Sequence, residues 1–343
     1  MKMIPENIII SRTDSIGDVV LTLPMAKIIK EKYPDCRIAF LGKEYTKPVI
    51  RACTYVDQFI SLNDFMNKPV SIAGRPPQCI IHVFPHKAVA KRARDLKIRL
   101  RIGTTNRLFH WSTCNKLVRL SRKKSDLHEA QLNLKLLAPI GINETFPLQK
   151  IRESFGLERI QPLGPSLSSM IDPGKYNLIL HPKSQGNGRE WGLGNFTNLI
   201  NLLEPQRFNI FISGTEAERV LLQPLLDQAK DRVIDLTGKM DLYQFMSFIK
   251  KCDGLVASGT GPLHIAAALG KDAYGIFPPI RPIHPGRWAP LGENAKVFVS
   301  EKNCSDCRKS PSACHCIADI EPVRLVEALE SRFRVKAGSS RFV

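Results

Sequence analysis

Four short polar turns, each following an apolar run, hold the residues whose types and spacing could do chemistry. In Arg12-Thr-Asp-Ser-Ile-Gly-Asp18 two carboxylates, Asp14 and Asp18, stand within one turn. Either can be a general base toward a hydroxyl, or Asp18 can serve only as a helix cap or dipole partner. The turn His181-Pro-Lys-Ser-Gln-Gly-Asn-Gly-Arg-Glu-Trp191 combines two glycines with two cations. Arg189 or Lys183 can clamp a phosphate there, arginine in a bidentate manner, and Trp191 reads as a packing anchor more readily than as a ligand stack. In Ser213-Gly-Thr-Glu216 the acid is either a partner of a helix N-terminus or an acceptor for ribose hydroxyls. In Ser258-Gly-Thr-Gly-Pro-Leu-His264, Gly259, Thr260 and Gly261 open a helix with Pro262 at its first position. Backbone N–H groups at such a terminus attract anions, so this is a candidate diphosphate cradle, the alternative being a tight turn with no ligand. His264 either bonds the diphosphate or caps a neighbouring carbonyl. No Gly-Lys-Ser/Thr follows, so it is not a Walker loop.

The elements that must position these turns alternate strand and helix. Ile8–Ser11, Arg37–Leu41, Gln58–Ser61 and Cys79–Phe84 read as strands; one helix carries Val19, Leu23, Ala26 and Ile29, and another carries Val49–Cys53. Ala88–Leu96 reads as helix, Arg99–Ile102 as a half-buried strand, His128–Leu137 as helix and Gly141–Ile151 as loop. A stretch rich in Ser, Pro and Gly, Leu163–Gly174, reads as a linker. A second strand–helix set then runs from Tyr176 to Phe277. The expectation is an α/β chain with two Rossmann-like parallel-sheet domains facing a cleft, ligands lying outside the carboxyl ends of the strands. The domains are placed at 1–165 and 166–330, with a basic, frayed tail at 331–343.

The net charge is +18, which implies acidic partners. It is concentrated: between Lys87 and Lys124 thirteen lysines or arginines face one acid, Asp95. Charge this one-sided is read as meeting an anion, a solvated basic face being the alternative. There is no run of about 18 uncharged apolar residues, and the chain enters a strand at Asn7 without a secretory signal, so a cytoplasmic protein is expected. Cys304-x2-Cys307-x6-Cys314-x-Cys316, with His315 inside, is the one spacing that suggests metal. Cys-x2-Cys suits zinc but Cys-x-Cys is a poor second pair. Reduced thiols packing a loop are preferred over zinc, and a disulfide is less expected in a reducing compartment.

Taken together, Arg12-Thr-Asp-Ser-Ile-Gly-Asp-Val-Val-Leu-Thr-Leu-Pro24, Arg101-Ile-Gly103 with His128-Glu129, His181-Pro182 with Arg189-Glu-Trp191, Leu236-Thr-Gly-Lys-Met240 and Gly259-Thr-Gly-Pro-Leu-His264 make the chain resemble the lipopolysaccharide heptosyltransferases, glycosyltransferase family 9. The resemblance runs from Ile8 to about Leu329. It implies a GT-B architecture and an inverting, metal-independent transfer without a cofactor, from a nucleotide sugar, usually ADP-heptose, to a lipid-linked core oligosaccharide. By the same resemblance the catalytic base falls on Asp18. The donor-binding residues fall on Ser184, Arg189, Glu216 and Met240 and on the loop of Gly259, Thr260, Gly261 and His264.

The basic segment then acquires a use: Lys91, Arg92 and Arg94, with Asp14, are expected to hold a phosphorylated glycolipid acceptor, in peripheral contact with the inner membrane leaflet. Two departures stand out. Gly259 occupies the position where the relatives carry an aspartate that contacts the donor sugar, and Asp14 replaces a small hydroxyl residue. The alternatives are a sugar-nucleotide epimerase of the same architecture, or a non-catalytic protein that binds nucleic acid or another anion. Against nucleic acid, the basic segment holds only Phe109 and Trp111 as aromatics and no recognisable RNA-binding module, so no specific nucleic acid partner is expected.

Overall fold

A computed structural model describes residues 5–122, 125–184, 188–301 and 315–339. The chain forms two compact units, Met1–Ile160 and Gln161–Val343, each built on its own six-stranded sheet. The division falls five residues before the expected 165/166 boundary. The Pro-rich stretch belongs to the second unit, where the Gln161 carbonyl accepts a hydrogen bond from Ser247 Oγ at 2.8 Å.

In the N-terminal unit the strands are β1 (Asn7–Ser11), β2 (Arg37–Gly42), β3 (Gln58–Ser61), β4 (Cys79–His82), β5 (Leu100–Thr104) and β6 (Lys116–Val118). The helices are α1 (Ile16–Val20), α2 (Pro24–Lys32), α3 (Lys47–Ala52), α4 (Leu62–Asn67), α5 (Lys87–Asp95), α6 (Leu108–Thr113), α7 (Glu129–Leu134) and α8 (Leu148–Arg152). Strand order is β3-β2-β1-β4-β5-β6 and every pair is parallel. Runs such as Ile8-Ile-Ile10 are fully buried, as strands covered on both faces must be. On one face Ile9, Ala39, Leu41 and Ile80 pack with Val89 and Ala93 of α5.

The helix expected after the first turn is two helices. Pro24 has no N–H to continue the ladder, so α1 stops at Val20 and α2 starts afresh. The segment Gly141–Ile151, expected as loop, carries the start of α8 after Pro147. Helices α4 and α6, of six residues each, are too short to show a period in the sequence.

The C-terminal unit repeats the plan. Its strands are β7 (Tyr176–His181), β8 (Phe208–Ile212), β9 (Ile234–Asp235), β10 (Gly254–Ser258), β11 (Asp272–Phe277) and β12 (Ala295–Val299), ordered β12-β11-β10-β7-β8-β9 and parallel throughout. Its helices are α9 (Pro165–Ser168), α10 (Leu193–Leu202), α11 (Arg219–Ala229), α12 (Leu242–Lys251), α13 (Gly261–Ala268), α14 (Pro285–Trp288), α15 (His315–Ala318) and α16 (Pro322–Ser339). Trp191 is the anchor it was expected to be: fully buried, its ring meets Phe196 edge-on at 5.0 Å and its Nε1 donates to the Ile320 carbonyl at 2.8 Å.

The frayed tail expected at 331–343 is corrected as far as the described residues go: α16 continues to Ser339, and 340–343 lie outside them. Arg332 pairs with Asp272 at 2.8 Å, Lys336 with Asp253 at 2.7 Å, and Phe333 lies 5.9 Å from Phe208. Arg332 and Lys336 are thus partners of acids at the sheet's amino edge, Asp272 buried and Asp253 half-buried. Of the cysteine cluster, Cys304, Cys307 and Cys314 lie outside the described residues, while Cys316 is buried against Ile280.

Each sheet is wound outward from a central pair, β1/β4 in one unit and β7/β10 in the other. At such a pair the following loops leave on opposite sides and open a crevice at the carboxyl ends.

Candidate active-site residues

In the N-terminal unit the crevice is filled by charge. The turn after β1 carries Arg12, whose side chain is 4 % exposed and faces three carboxylates. Its Nε donates to Asp14 Oδ1 at 2.8 Å, one terminal nitrogen to Asp18 Oδ1, and the other to Glu129 Oε1 and Asn133 Oδ1 at 3.3 Å each. Arg122 approaches the same pair from the far side, donating to Glu129 Oε1 at 2.8 Å and to Asn133 Oδ1 at 3.1 Å. Two guanidinium groups therefore face three carboxylates. Buried ions persist only when so compensated.

Asp18 is the third residue of α1. Its other carboxylate oxygen accepts from Ser15 Oγ, and its carbonyl accepts from Thr22 Oγ1 at 2.7 Å. Its side chain remains 16 % exposed, so the carboxylate is fixed in direction yet reachable. Burial pushes the Asp14 carboxyl above its ordinary value, and the neighbouring Arg12 partly opposes that rise.

The other expected acceptor residues do not join this cluster. α5 begins at the carboxyl edge beyond β4 and runs back along the sheet, so Lys91 lies one turn down it and Arg94 two. Arg94 turns to Asp95 and Arg92 to the Lys68 carbonyl, each at 3.4 Å. The basic segment is not one surface. Arg101 is half-buried and bonded to the carbonyls of Ile98 and Thr113 at 2.5 and 2.7 Å, Arg122 belongs to the Asp18 cluster, and Lys123 and Lys124 lie outside the described residues.

In the C-terminal unit four loops share the carboxyl edge, in the order of their strands: after β10, β7, β8 and β9. The loop after β7 is organised by Glu190, which accepts from Lys183 Nζ at 2.5 Å, Ser184 N at 3.0 Å and Ser184 Oγ at 3.2 Å. Ser184 Oγ also donates to the Gly188 carbonyl at 3.1 Å, and Arg189 is half-buried beside it. This loop touches the next one, since a carbon added at Gly188 would lie 3.6 Å from the Gly259 carbonyl.

After β10, Thr260 is the N-cap of α13, with Gly261 and Pro262 opening the helix and His264 buried one turn in. The Thr260 side chain makes no capping bond. The residue is only 9 % exposed and Oγ1 has no hydrogen-bond partner among the described residues. A buried hydroxyl left without a bond is costly, and a ligand at the helix N-terminus would relieve it. Gly259 has a packing reason to be glycine: a Cβ there would stand 2.6 Å from the Phe277 ring, which is itself buried.

After β8 and β9 the chain brings Glu216 and Met240 to one place. The Gly238 N–H donates to the Gly214 carbonyl at 2.9 Å, and the Glu216 carboxylate lies over Gly238, two residues before the half-buried Met240. Arg219 holds that carboxylate at 3.1 Å and Asp235 at 2.9 Å. The sequence assigns no role to Arg12, Glu129, Asn133 and Glu190, and counts Arg122 only among the cations of the basic segment. For Arg12, Glu129 and Glu190 the only signal was membership of a resembling motif; nothing local marks Asn133, 121 residues from its Arg12 partner.

Among known proteins, the sequence profile described as glycosyltransferase family 9 (heptosyltransferase) matches residues 89–318. The lipopolysaccharide core heptosyltransferase OpsX of Haemophilus influenzae is 20% identical over 321 residues, 90% of this chain and 89% of that one. The solved structure of a family 9 glycosyl transferase from Veillonella parvula superposes with a TM-score of 0.78 at 17% identity, covering 96% of this chain and 97% of the other. That of the E. coli ADP-heptose lps heptosyltransferase II gives 0.74 at 16% identity, covering 97% and 99%. The shared fold is GT-B, two Rossmann-like sheets in one chain.

Proposed function

The chain belongs to glycosyltransferase family 9, and from that premise we propose that it moves a heptose or related sugar, with inversion, from an ADP-type nucleotide donor to a lipopolysaccharide-core or similar glycolipid acceptor. Asp18 takes the proton of the acceptor hydroxyl as its oxygen bonds to the anomeric carbon. The bond from that carbon to the diphosphate oxygen breaks, and the nucleoside diphosphate leaves with the electron pair. Arg12 and Ser15 aim the Asp18 carboxylate. Arg189, Ser184 and the N-terminus of α13, with Gly259, Thr260, Gly261 and His264, meet the charge on the diphosphate, so no metal has a part in the step. Glu216 receives the ribose hydroxyls, held ready by Arg219, and Met240 lines the base.

The observation that carries this reading is Thr260: a buried hydroxyl on the N-cap of α13 with no hydrogen-bond partner among the described residues, at the central crossover of a doubly wound sheet. No helix among the described residues is long and apolar enough to cross a membrane. A glycolipid acceptor is anchored in the bilayer, and the proposed workplace is accordingly the cytoplasmic face of the inner membrane, in peripheral contact.

A thermal-shift screen of nucleotide sugars tests the donor: ADP sugars are expected to raise the melting temperature and UDP sugars to leave it unchanged. Asp18→Ala is expected to keep that shift and to lower transfer by roughly 10²–10⁴-fold. An Asp18→Ala enzyme of undiminished activity would remove Asp18 as the base, and donor turnover without acceptor would favour epimerisation over transfer.

A further inference from the structure

We propose that α6 is a lipid wedge: Leu108 and Trp111 enter the headgroup boundary of an anionic bilayer while a collar of cations around them binds the lipid phosphates. Leu108 is 89% exposed and Trp111 63% exposed. Three residues apart on a helix, they share one face. The opposite face is fixed to the unit, because His110 is fully buried and its Nδ1 accepts from the Thr104 N–H at 2.9 Å. Gly103 makes room for that ring, a Cβ there falling 2.7 Å from His110 Nδ1. Trp111 Nε1 donates to the Thr105 carbonyl at 3.0 Å, so the indole is held with its polar atom satisfied and apolar surface outward. This presents a rigid apolar point, the geometry suited to an interface that is polar outside and apolar within.

The surroundings are cationic. Arg107 precedes the wedge, Lys116 and Arg119 follow it, and Lys87, Lys91 and Arg94 lie along the exposed side of α5, which packs against α6; all six are exposed. Asp95 is the single acid between residues 87 and 122. Each lysine or arginine near an anionic leaflet strengthens binding by about fivefold. A polyanion such as RNA would use the collar and could stack on Trp111, but it would leave the Leu108 side chain in water, whereas a bilayer buries both. α6 leaves the carboxyl end of β5, the same edge of the sheet that carries the Asp18 turn after β1. The wedge deepens the proposed function, on which its purpose rests: it brings that edge to the surface where a lipid-anchored acceptor lies.

The test is co-sedimentation of the full chain with vesicles of phosphatidylcholine alone and of phosphatidylcholine with phosphatidylglycerol. Wild type is expected to bind the anionic vesicles, less tightly as salt is raised, and Leu108→Ser to bind them roughly tenfold less tightly or worse. Leu108 is nearly all in solvent, so the variant is expected to melt like wild type. Transfer to a deacylated, water-soluble acceptor should be equal in wild type and Leu108→Ser, which separates docking from chemistry. Equal vesicle binding by the two proteins would overturn the wedge, as would a loss on Leu108→Ser confined to RNA binding. Transfer without vesicle binding would sink the wedge and leave the proposed function standing; wedge-dependent vesicle binding by a chain that transfers nothing would do the reverse.

Discussion

At the scale of single residues the chain buries polar groups that no neighbour among the described residues satisfies, and each has a measurable consequence. Thr260 Oγ1 is one, which the proposed donor diphosphate would satisfy. His82 is another: it ends β4 in register with Ser11, is fully buried, and neither ring nitrogen has a partner among the described residues. Burial pushes its imidazole from the ordinary 6.5 down to about 3, with smaller contributions from His110, Arg101 and His86. A base with a depressed folded pKa contributes stability that is present above its unfolded value and lost as pH falls toward the folded one. Between pH 6.5 and 3 the unfolded chain binds a proton that the folded chain refuses. Urea melts at pH 7 and pH 5 should therefore show wild type losing more stability than His82→Phe, by about 1–2 kcal/mol. Identical losses would mean that His82 is solvated in the folded protein. His181, also lowered by burial, belongs to the other unit, keeps its own slope in both proteins and cancels from the difference.

At the scale of elements, the candidate site is made of strand-end loops that hold one another. Glu216 starts the turn into α11 and Gly238 follows β9, yet the two meet because β8 and β9 are neighbours. Gly238 has φ +70°, and a Cβ there would occupy the space of the Glu216 carboxylate. Gly238→Ala is thus expected to cost about 1 kcal/mol in strain and, by displacing Glu216, to weaken ADP binding roughly tenfold through a lost charged hydrogen bond. Calorimetric titration with ADP reads the affinity and a thermal melt reads the strain. Unchanged affinity in a folded variant would detach Glu216 from the nucleoside. Arg12 does the corresponding work in the N-terminal unit, tying the turn after β1 to α7 through Glu129 and Asn133. Removing one partner from such a buried network typically costs about 3–5 kcal/mol.

At the scale of the whole molecule there are two units, each with its own sheet, and the residues proposed for the donor all belong to Gln161–Val343. Ligand stabilisation should then be uneven. With ADP at about 100 times its dissociation constant, roughly 2.7 kcal/mol is added to the unit that binds it. Hydrogen exchange should show new protection in the loops after β7, β8 and β10 and none in the turn after β1. Protection arising first in Met1–Ile160 would place the nucleotide on the wrong unit.

The sequence by itself determined the doubly wound α/β plan, because buried parallel strands must be continuous apolar runs and the turns after them must be polar and glycine-rich. Ile8–Ser11, Tyr176–His181 and Gly254–Ala257 are legible for that reason, and Asp18 and the Gly259–His264 turn are legible as candidates because they follow such strands. Motif resemblance added Ser184 and Met240, which carry no local signal. What only the tertiary structure decided are relations across long stretches of chain: Arg12 with Asn133, Arg332 with Asp272, Glu216 over Gly238, Gly259 against Phe277. The thirteen cations between Lys87 and Lys124 looked like one binding face in the sequence. Folding gave Arg122 to the Asp18 cluster and Arg101 to local carbonyls, and left Lys87, Lys91, Arg94, Arg107, Lys116 and Arg119 exposed on α5 and on the segments flanking α6, which carries the exposed Leu108. Composition counts charges, but only the winding of strands and helices fixes which way each one faces.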